Sequence, residues 1–168
     1  YFENVMGKKN PTVGIVNIGT EEEKGNQLVK ETYPLLRDCK NINFVGSVEA
    51  RDIAKGGTDI LGCEAFVGNV ILKFFEGVAK TFLGCIKEGI MKSLRTKIGG
   101  MLIKPALKGL LKTFDVSSQG GAPLLGLKGL VVKAHGNSKS AEIKTALEQC
   151  ITFKENSINE KIQDKIQA

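Results

Sequence analysis

The order of apolar and polar segments between residues 12 and 63 constrains the fold of this chain more than any other feature. The segment TVGIVNI (residues 12–18) is a short apolar run bounded by Pro11 and Gly19, which is typical of a strand buried on both faces. Thr20 and the three glutamates after it predict the start of a helix that runs to about Arg37. Pro34 inside this helix implies a kink or an early end.

Two more short apolar runs follow the predicted helix. Residues 41–45 form the next strand, which we expect Gly46 to stop, and residues 58–63 form a third. The order strand, helix, strand, loop, strand is typical of a parallel sheet with right-handed crossovers. The sequence therefore predicts an α/β fold, and 168 residues suit one compact domain or half of a larger one.

A long stretch of helical periodicity begins at Asn69. Residues 96–100 are expected to break the helix, and Pro105 is suited to the first turn of the next one. Residues 69–115 are thus predicted to form a long amphipathic helical hairpin. Three glycines at positions 77, 84 and 89 interrupt its apolar stripe, which indicates close packing against another helix. The tip of the hairpin is predicted to carry Ile98, Met101, Leu102 and Ile103.

The net charge of +6 is concentrated in this hairpin. Residues 73–112 contain nine lysines and arginines and only two acids, so the segment alone is +7 and the remainder is close to neutral. Three compatible interpretations are a solvated lysine face packed on the sheet, dimerisation through the apolar stripe, and contact of the tip with an anionic bilayer. The residues assigned to dimer or membrane contact are Phe82, Ile86, Ile98, Met101, Leu102, Lys104 and Lys108.

The last third of the chain returns to alternating elements. Residues 120–126 are a glycine-flanked apolar segment, residues 129–133 predict a strand, and residues 134–138 predict a loop that contains the sole histidine, His135. A final amphipathic helix and a helical tail follow. The residues of that helix expected to face inward are Ile143, Ala146, Leu147 and Ile151.

The cysteines and aromatic residues exclude several classes of function. Cys39, Cys63, Cys85 and Cys150 are widely spaced and form no CxxC pair. This fits neither a zinc site nor a disulfide framework, so we expect reduced, mostly buried thiols in a cytosolic protein, with no metal and no cofactor. The absence of tryptophan and the few aromatics argue against a base-stacking nucleic-acid surface.

Four polar loops follow predicted strand ends, at residues 17–26, 46–52, 64–69 and 133–138. In an open parallel sheet, ligands bind at the carboxyl ends of the strands, and glycine-rich loops beside a helix start suit an anion such as phosphate. None of the loops matches a dinucleotide-binding or P-loop pattern. His135 is either a general acid or base that also suits hydrogen bonding to an oxyanion, or a structural residue held by backbone partners.

Several motifs in this order resemble the PlsX-type phosphate acyltransferases, over about residues 11–135. The motifs that carry the resemblance are PTVGIVNIG (11–19), EEEKGN (21–26), NFVGSVEARDI (43–53), FVGN (66–69), KPALK (104–108), GGAPLLG (120–126) and KAHG (133–136).

The resemblance implies a Rossmann-like three-layer α/β/α sandwich with a mostly parallel sheet, related to phosphotransacetylases and isocitrate-dehydrogenase-like proteins. It implies an enzyme that moves a fatty acyl group from acyl carrier protein to inorganic phosphate, giving acyl phosphate for phospholipid synthesis. A homodimer without a metal, peripherally associated with the membrane from the cytoplasm, is also implied. Residues 1–168 would be the carboxy-terminal part of one domain, and without the amino-terminal half this piece is predicted to be inactive.

One departure from the family pattern concerns the third loop. Where the family usually has Asp-Gly before the FVGN motif, this chain has Glu64 and Ala65. Glutamate keeps the carboxylate but moves it by one methylene, and alanine does not easily adopt positive φ.

The chemistry that the resemblance implies assigns roles to individual residues. Phosphate must attack a thioester carbonyl, so the site must hold one anion and stabilise a second charge as it develops. Glu64 and His135 are candidates for proton management, and Asn69 is a candidate catalytic donor to phosphate or to the oxyanion. The alternatives are a phosphotransacetylase-like transfer from a short acyl-CoA, or a non-catalytic dimeric scaffold that recruits lipid enzymes to the membrane. The residues assigned to phosphate or substrate binding are Asn17, Gly19, Lys24, Asn26, Gly68 and Lys133.

Overall fold

The computed structural model describes residues 1–113 and 120–167, except for the side chains of 110–113 and 167. These residues form two compact units, one comprising Lys8–Thr96 and the other comprising Tyr1–Gly7 with the described residues from Lys97 onward. The elements in chain order are β1 (Thr12–Asn17), α1 (Gln27–Asp38), β2 (Asn43–Glu49), α2 (Ala50–Ile53), β3 (Ile60–Gly62), α3 (Ala65–Met91), α4 (Leu94–Thr113), β4 (Gly121–Pro123), β5 (Val132–Ala134), α5 (Ser140–Glu155) and α6 (Ile158–Gln167).

A three-stranded parallel sheet organises the first unit, in the strand order β2-β1-β3. The central strand β1 is buried from Gly14 to Asn17, because β-branched side chains fill the sheet while its neighbours cover both edges. Helix α1 packs on β2, where the rings of Tyr33 and Phe44 pack edge to face with their centroids 5.2 Å apart. The predicted α/β class with a parallel sheet is confirmed.

Strand β2 does not stop at Gly46. It continues to Glu49, and the register with β1 shifts so that Val13 pairs with Phe44 but Gly14 pairs with Gly46. The extra residue makes a bulge, and Gly46 provides the positive φ of +92° that the bulge needs. The prediction that this glycine ends the strand was therefore wrong.

Helix α1 begins later than predicted. Residues 20–24 form a turn in which the Lys24 N–H donates to the Glu21 carbonyl at 3.2 Å, and Gly25 follows with a φ of +105°. Asn26 then caps the helix, since its side chain accepts from the Val29 N–H at 2.9 Å. Thr20 is not the cap, and Pro34 lies inside the helix without ending it.

Helices α3 and α4 are two long consecutive helices, as predicted for residues 69–115, of which 114 and 115 lie outside the described residues. Helix α3 starts at Ala65, before Asn69. The break between the helices lies at residues 92–93 instead of 96–100, because Ser93 and Thr96 cap each other. The Thr96 N–H donates to Ser93 Oγ at 3.1 Å and the Ser93 N–H donates to Thr96 Oγ1 at 3.0 Å.

Pro105 lies inside α4 instead of in its first turn. The helix continues through it at the cost of one intrahelical hydrogen bond. The four residues predicted at the tip of a hairpin, Ile98, Met101, Leu102 and Ile103, are therefore helical, and all four side chains are exposed.

The apolar stripe of α3 also lies largely on the surface. Phe82 is 66% exposed, and Phe74 and Val78 are exposed as well, while Ile86 is half-buried. A Cβ built at Gly77, Gly84 or Gly89 meets no atom of the described residues within 4 Å. The close helix contact predicted at these glycines is therefore absent from the described part of the chain.

The second unit is built around α5. Phe153 and Ile158 are almost completely buried, and the Tyr1 ring packs on Phe153 at 5.5 Å between centroids. Tyr1 is also fixed by Gln149, whose Nε2 donates to its hydroxyl at 3.0 Å. Strands β4 and β5 pair antiparallel, so residues 120–134 form a small sheet of their own.

Two expectations for buried side chains and one for a strand boundary were wrong. On α5, Ala146 and Phe153 face inward, whereas Ile143, Leu147 and Ile151 are exposed. The predicted strand at residues 129–133 starts only at Val132, because it pairs with the three residues of β4. The cysteines are free, but Cys39, Cys63 and Cys85 are exposed and Cys150 is half-buried.

Among the described helices, none has the length and apolar content needed to cross a bilayer.

Candidate functional site

The three parallel strands end at one edge of the sheet. In the register of β1 with β2, Asn17 pairs with Glu49, and in the register with β3, Ile15 pairs with Gly62. The loops that follow each strand therefore start side by side. The first loop carries the predicted residues Asn17, Gly19, Lys24 and Asn26, and the third carries Glu64, Gly68 and Asn69.

Asn17 holds the first loop to the neighbouring strand. Its side chain is buried, and Nδ2 donates to the Lys24 carbonyl at 3.1 Å and to Ser47 Oγ at 3.1 Å. Its Oδ1 accepts from the Ile18 N–H at 2.8 Å. Because both ends of the amide have partners, Asn17 positions the loop and has no spare donor for a ligand.

The rest of this loop is closed by an ion pair. Lys24 Nζ lies 2.8 Å from Glu21 Oε1, and both side chains are about half exposed. The hydrogen bond to Glu21 and then the charges of Glu21, Glu23 and Glu49 raise the pKa of Lys24. Lys24 is thus a charged group at the edge of the sheet. Gly19 leaves room for it, since a Cβ there would lie 2.5 Å from the Lys24 Cδ.

Glu64 caps the amino terminus of α3. Its carboxylate accepts from the Phe66 N–H at 2.6 Å and from the Val67 N–H at 2.7 Å. An acid at this position is stabilised by hydrogen bonds and by the helix dipole. The departure at Ala65 needs no positive φ, because Ala65 is the first helical residue.

Gly68 and Asn69 lie in the first turns of α3. A Cβ at Gly68 would approach Cys63 Sγ to 2.8 Å, so the glycine permits the close approach of the preceding loop. Asn69 is exposed and makes no side-chain hydrogen bond to any described residue. Its amide is therefore free to donate to a ligand, unlike that of Asn17.

Lys133 and His135 belong to the second unit. Lys133 is exposed on β5 and His135 is exposed in the loop that follows. His135 Nδ1 accepts from the Asn137 N–H at 3.1 Å. When the imidazole is neutral, this bond places its proton on Nε2, which leaves Nε2 as a donor for an oxyanion.

Sequence reasoning missed a cavity beside β2. It has a volume of about 280 Å³, and its polar lining comes from Thr20, Ser47, Glu49, Asp52, Lys55 and Thr58. The signal for it was present in the sequence, since Ser47 and Glu49 alternate at the carboxyl end of a strand and so share a face. The described residues contain no group of three or more side chains arranged to hold a metal ion.

Comparisons with known proteins identify relatives of this chain. Residues 1–161 match the model of the fatty acid synthesis protein family. The chain is 52% identical to a phosphate acyltransferase of Clostridium novyi over 99% of its own length and 50% of the relative's. It is 50% identical to the phosphate acyltransferase of Clostridium acetobutylicum over 99% of this chain and 50% of the relative, and 49% identical to that of Caldicellulosiruptor saccharolyticus over 100% and 50%. The chain thus spans about half the length of the curated relatives it matches.

Proposed function

Because the chain belongs to the fatty acid synthesis protein family, we propose that the intact protein transfers an acyl group to inorganic phosphate and releases acyl phosphate. The observation that carries this proposal is the identity of about half of all residues, over 99% of the chain, to relatives named phosphate acyltransferase. The loops that meet at the carboxyl edge of the parallel sheet support it, since that edge is where ligands bind in such folds.

The proposed acyl donor is acyl carrier protein, and the proposed product serves phospholipid synthesis. The support is electrostatic: an acidic carrier is steered by basic surface, and the cations of α3 are exposed. Of the described lysines and arginines between residues 73 and 108, only Lys73 is in an ion pair, with Glu76 at 3.5 Å. The others are therefore available to a negatively charged partner.

The roles proposed for the candidate residues follow from their contacts. Asn69 and His135 each have an unused donor, so we assign them to the oxyanion or to the leaving sulfur. Lys24 supplies positive charge for phosphate, and Lys133 is proposed as a second cation. Gly19, Gly68 and Asn26 shape the loops, and Glu64, proposed for proton management, acts through the same carboxylate that caps α3.

Dimerisation and peripheral contact with the cytoplasmic face of the membrane are proposed for α3 and α4. The apolar stripe through Phe82 and Ile86 is proposed as dimer surface, because an exposed apolar stripe of this kind marks an interaction site. Ile98, Met101 and Leu102 are exposed beside the exposed Lys104 and Lys108 of the same helix. Apolar side chains next to lysines suit the surface of an anionic bilayer.

Product analysis with the intact gene product tests the proposal. The protein is incubated with phosphate and either long-chain acyl carrier protein or acetyl-CoA, and acyl phosphate is measured. The expected result is long-chain acyl phosphate from the carrier protein. Acetyl phosphate as the sole product would support a phosphotransacetylase-like enzyme instead. If neither donor gives a product, the non-catalytic dimeric scaffold is the function that remains. The 168-residue chain alone is the matched sample, and we expect it to be inactive.

A further inference from the structure

The cavity beside β2 contains a carboxylate that the roles proposed above do not use. Glu49 is the last residue of β2 and pairs in register with Asn17 of β1, so it lies where the strands end. Its side chain is 20% exposed and lines the cavity together with the hydroxyls of Thr20, Ser47 and Thr58. A half-buried acid in the cavity at this edge faces any ligand that binds there.

Two cations accompany Glu49. The guanidinium of Arg51 forms an ion pair with the Glu49 carboxylate, and the Arg51 side chain is 78% exposed. Lys24 lies near enough that the charge of Glu49 contributes to its raised pKa, after its hydrogen bond and charge interaction with Glu21 and the charge of Glu23. Exposed ion pairs contribute little to stability, so both cations can exchange these partners for an anion. The ion-paired Asp52 and Lys55 also line the cavity, so an oxyanion at Glu49 meets three positive charges and two negative charges.

Glu49 differs from Glu64, another carboxylate at this edge. Both oxygens of Glu64 already accept backbone N–H groups of α3, at 2.6 and 2.7 Å. The Glu49 carboxylate has Arg51 as its partner and makes no hydrogen bond to a backbone N–H of the described residues. The Glu49 carboxylate thus has more of its acceptor sites free for a ligand than the Glu64 carboxylate has.

We propose that Glu49 makes the site specific for inorganic phosphate by accepting a hydrogen bond from a P–OH group of the bound ion, while Arg51 and Lys24 contact its charged oxygens. An ionised carboxylate can only accept hydrogen bonds. Inorganic phosphate keeps at least one proton at neutral pH and can donate it, whereas sulfate has none and is repelled. The assignment rests on the proposed function and names the group that selects its acceptor substrate.

Inhibition kinetics of the intact enzyme test this assignment. Acyl phosphate formation is measured against phosphate concentration, with sulfate or monofluorophosphate as the competing ion. Monofluorophosphate is a dianion of similar size without a P–OH proton at neutral pH. For the wild type we expect both ions to inhibit only at concentrations at least tenfold above the KM for phosphate. E49Q, whose amide can donate, should lower the ratio of the sulfate Ki to the phosphate KM at least tenfold.

Two further variants separate specificity from a structural role. E49D keeps a carboxylate and should keep the preference for phosphate. E31Q removes an equal charge from the exposed face of α1 and should leave the ratio unchanged. A loss of folding alone would alter the amount of active enzyme and not this ratio.

The results distinguish a failure of the Glu49 assignment from a failure of the proposed function. A wild type that makes no acyl phosphate overturns the proposed function, and the assignment of Glu49 with it. An active wild type that binds monofluorophosphate as well as phosphate overturns the assignment alone, whether or not E49Q folds. So does an E49Q variant that still excludes sulfate.

Discussion

The edge of the parallel sheet and the surface of helix α3 differ in the ion pairing of their charged side chains and in the space around their glycines. At the edge, Lys24, Arg51 and Lys55 are each paired with an acid close by in sequence. On α3, Lys80 and Lys87 are exposed and form no ion pair with any described residue. The charged side chains at the edge are therefore paired with one another, whereas the lysines and apolar side chains of α3 are exposed. The proposed dimer or bilayer contact would cover them.

The glycines repeat this contrast. Gly25 at the edge has a φ of +105°, and a Cβ there would lie 2.5 Å from Asn17 Oδ1 and 3.0 Å from Val29 Cγ1. Gly84 on α3 has open space around it. A glycine at the edge is thus required by its surroundings, and a glycine on the helix is not required by any described residue.

The largest expected effect is that of Gly25→Ala. A left-handed conformation costs a non-glycine residue about 1–2 kcal/mol, and overpacking adds about 1–3 kcal/mol. We therefore expect the free energy of unfolding to fall by roughly 2–5 kcal/mol, measured by urea denaturation. Gly57→Ala is the matched control, because Gly57 has no positive φ and no atom within 4 Å of an added Cβ. Equal stability of the two variants would contradict the claim that the surroundings of Gly25 require a glycine.

The second prediction concerns the donors without partners, Asn69 and His135. If they bind the developing oxyanion, Asn69→Ala and His135→Ala in the intact enzyme each lower turnover at least tenfold, which is about 1.4 kcal/mol or more. The measurement is the rate of acyl phosphate formation from acyl carrier protein. Asn41→Ala is the control, since Asn41 is exposed at the opposite end of β2. Wild-type rates in both variants would remove these residues from the site.

Periodicity and strand order predicted the class of fold but not the exact ends of its elements. The parallel sheet followed from alternating segments, because burial on both faces leaves a plain apolar run. The start of α1 was misplaced because a threonine followed by acids resembles a cap, while the choice of Asn26 depends on the tertiary contact between Asn17 and the Lys24 carbonyl. That contact joins residues whose spacing carries no local signal.

The candidate site was predictable to the level of its loops. Polar residues after strand ends marked the edge, but the partner of each side chain was not visible in the sequence. Asn17 and Asn69 are both asparagines in such loops, yet the first is fully hydrogen-bonded and the second is free. Glu49 lies in the loop predicted at residues 46–52, but no role was assigned to it, and in the structure it is the last residue of β2.

The third prediction addresses the unpaired cations. Each lysine near an anionic bilayer contributes about 1 kcal/mol to binding, so Lys104→Gln should weaken binding to phosphatidylserine-containing vesicles about fivefold. Flotation with and without the anionic lipid measures this. Lys30→Gln on α1 removes the same charge outside the basic segment and should have little effect. If the two variants bind equally, the lysines of α4 have another use.

The fourth prediction concerns the open space around Gly84. Alanine is favoured over glycine in a helix by roughly 0.5–1 kcal/mol, so Gly84→Ala should raise the free energy of unfolding by that amount. Thermal and urea unfolding of the 168-residue chain measure it. A loss of stability instead would mean that another helix packs on this position in solution.

The smallest effect is expected at the amino-terminal end of the sheet, where Asp59 joins β3 to β1. Its carboxylate accepts from the Thr12 N–H and hydroxyl, each at 2.9 Å, and pairs with Lys8 at 2.9 Å. These contacts, the Thr12 N–H first, lower the pKa of Asp59 from 3.8 to about 2. The folded state therefore favours the ionised form, and this stabilisation is complete above pH 3.8 and is lost as the pH falls towards 2.

The measurement is the midpoint of unfolding as the pH is lowered from about 5 to about 2. This midpoint should fall more for the wild type than for Asp59→Asn. Asp164→Asn, an exposed acid of α6, should follow the wild type, and parallel curves for all three proteins would contradict the role of Asp59.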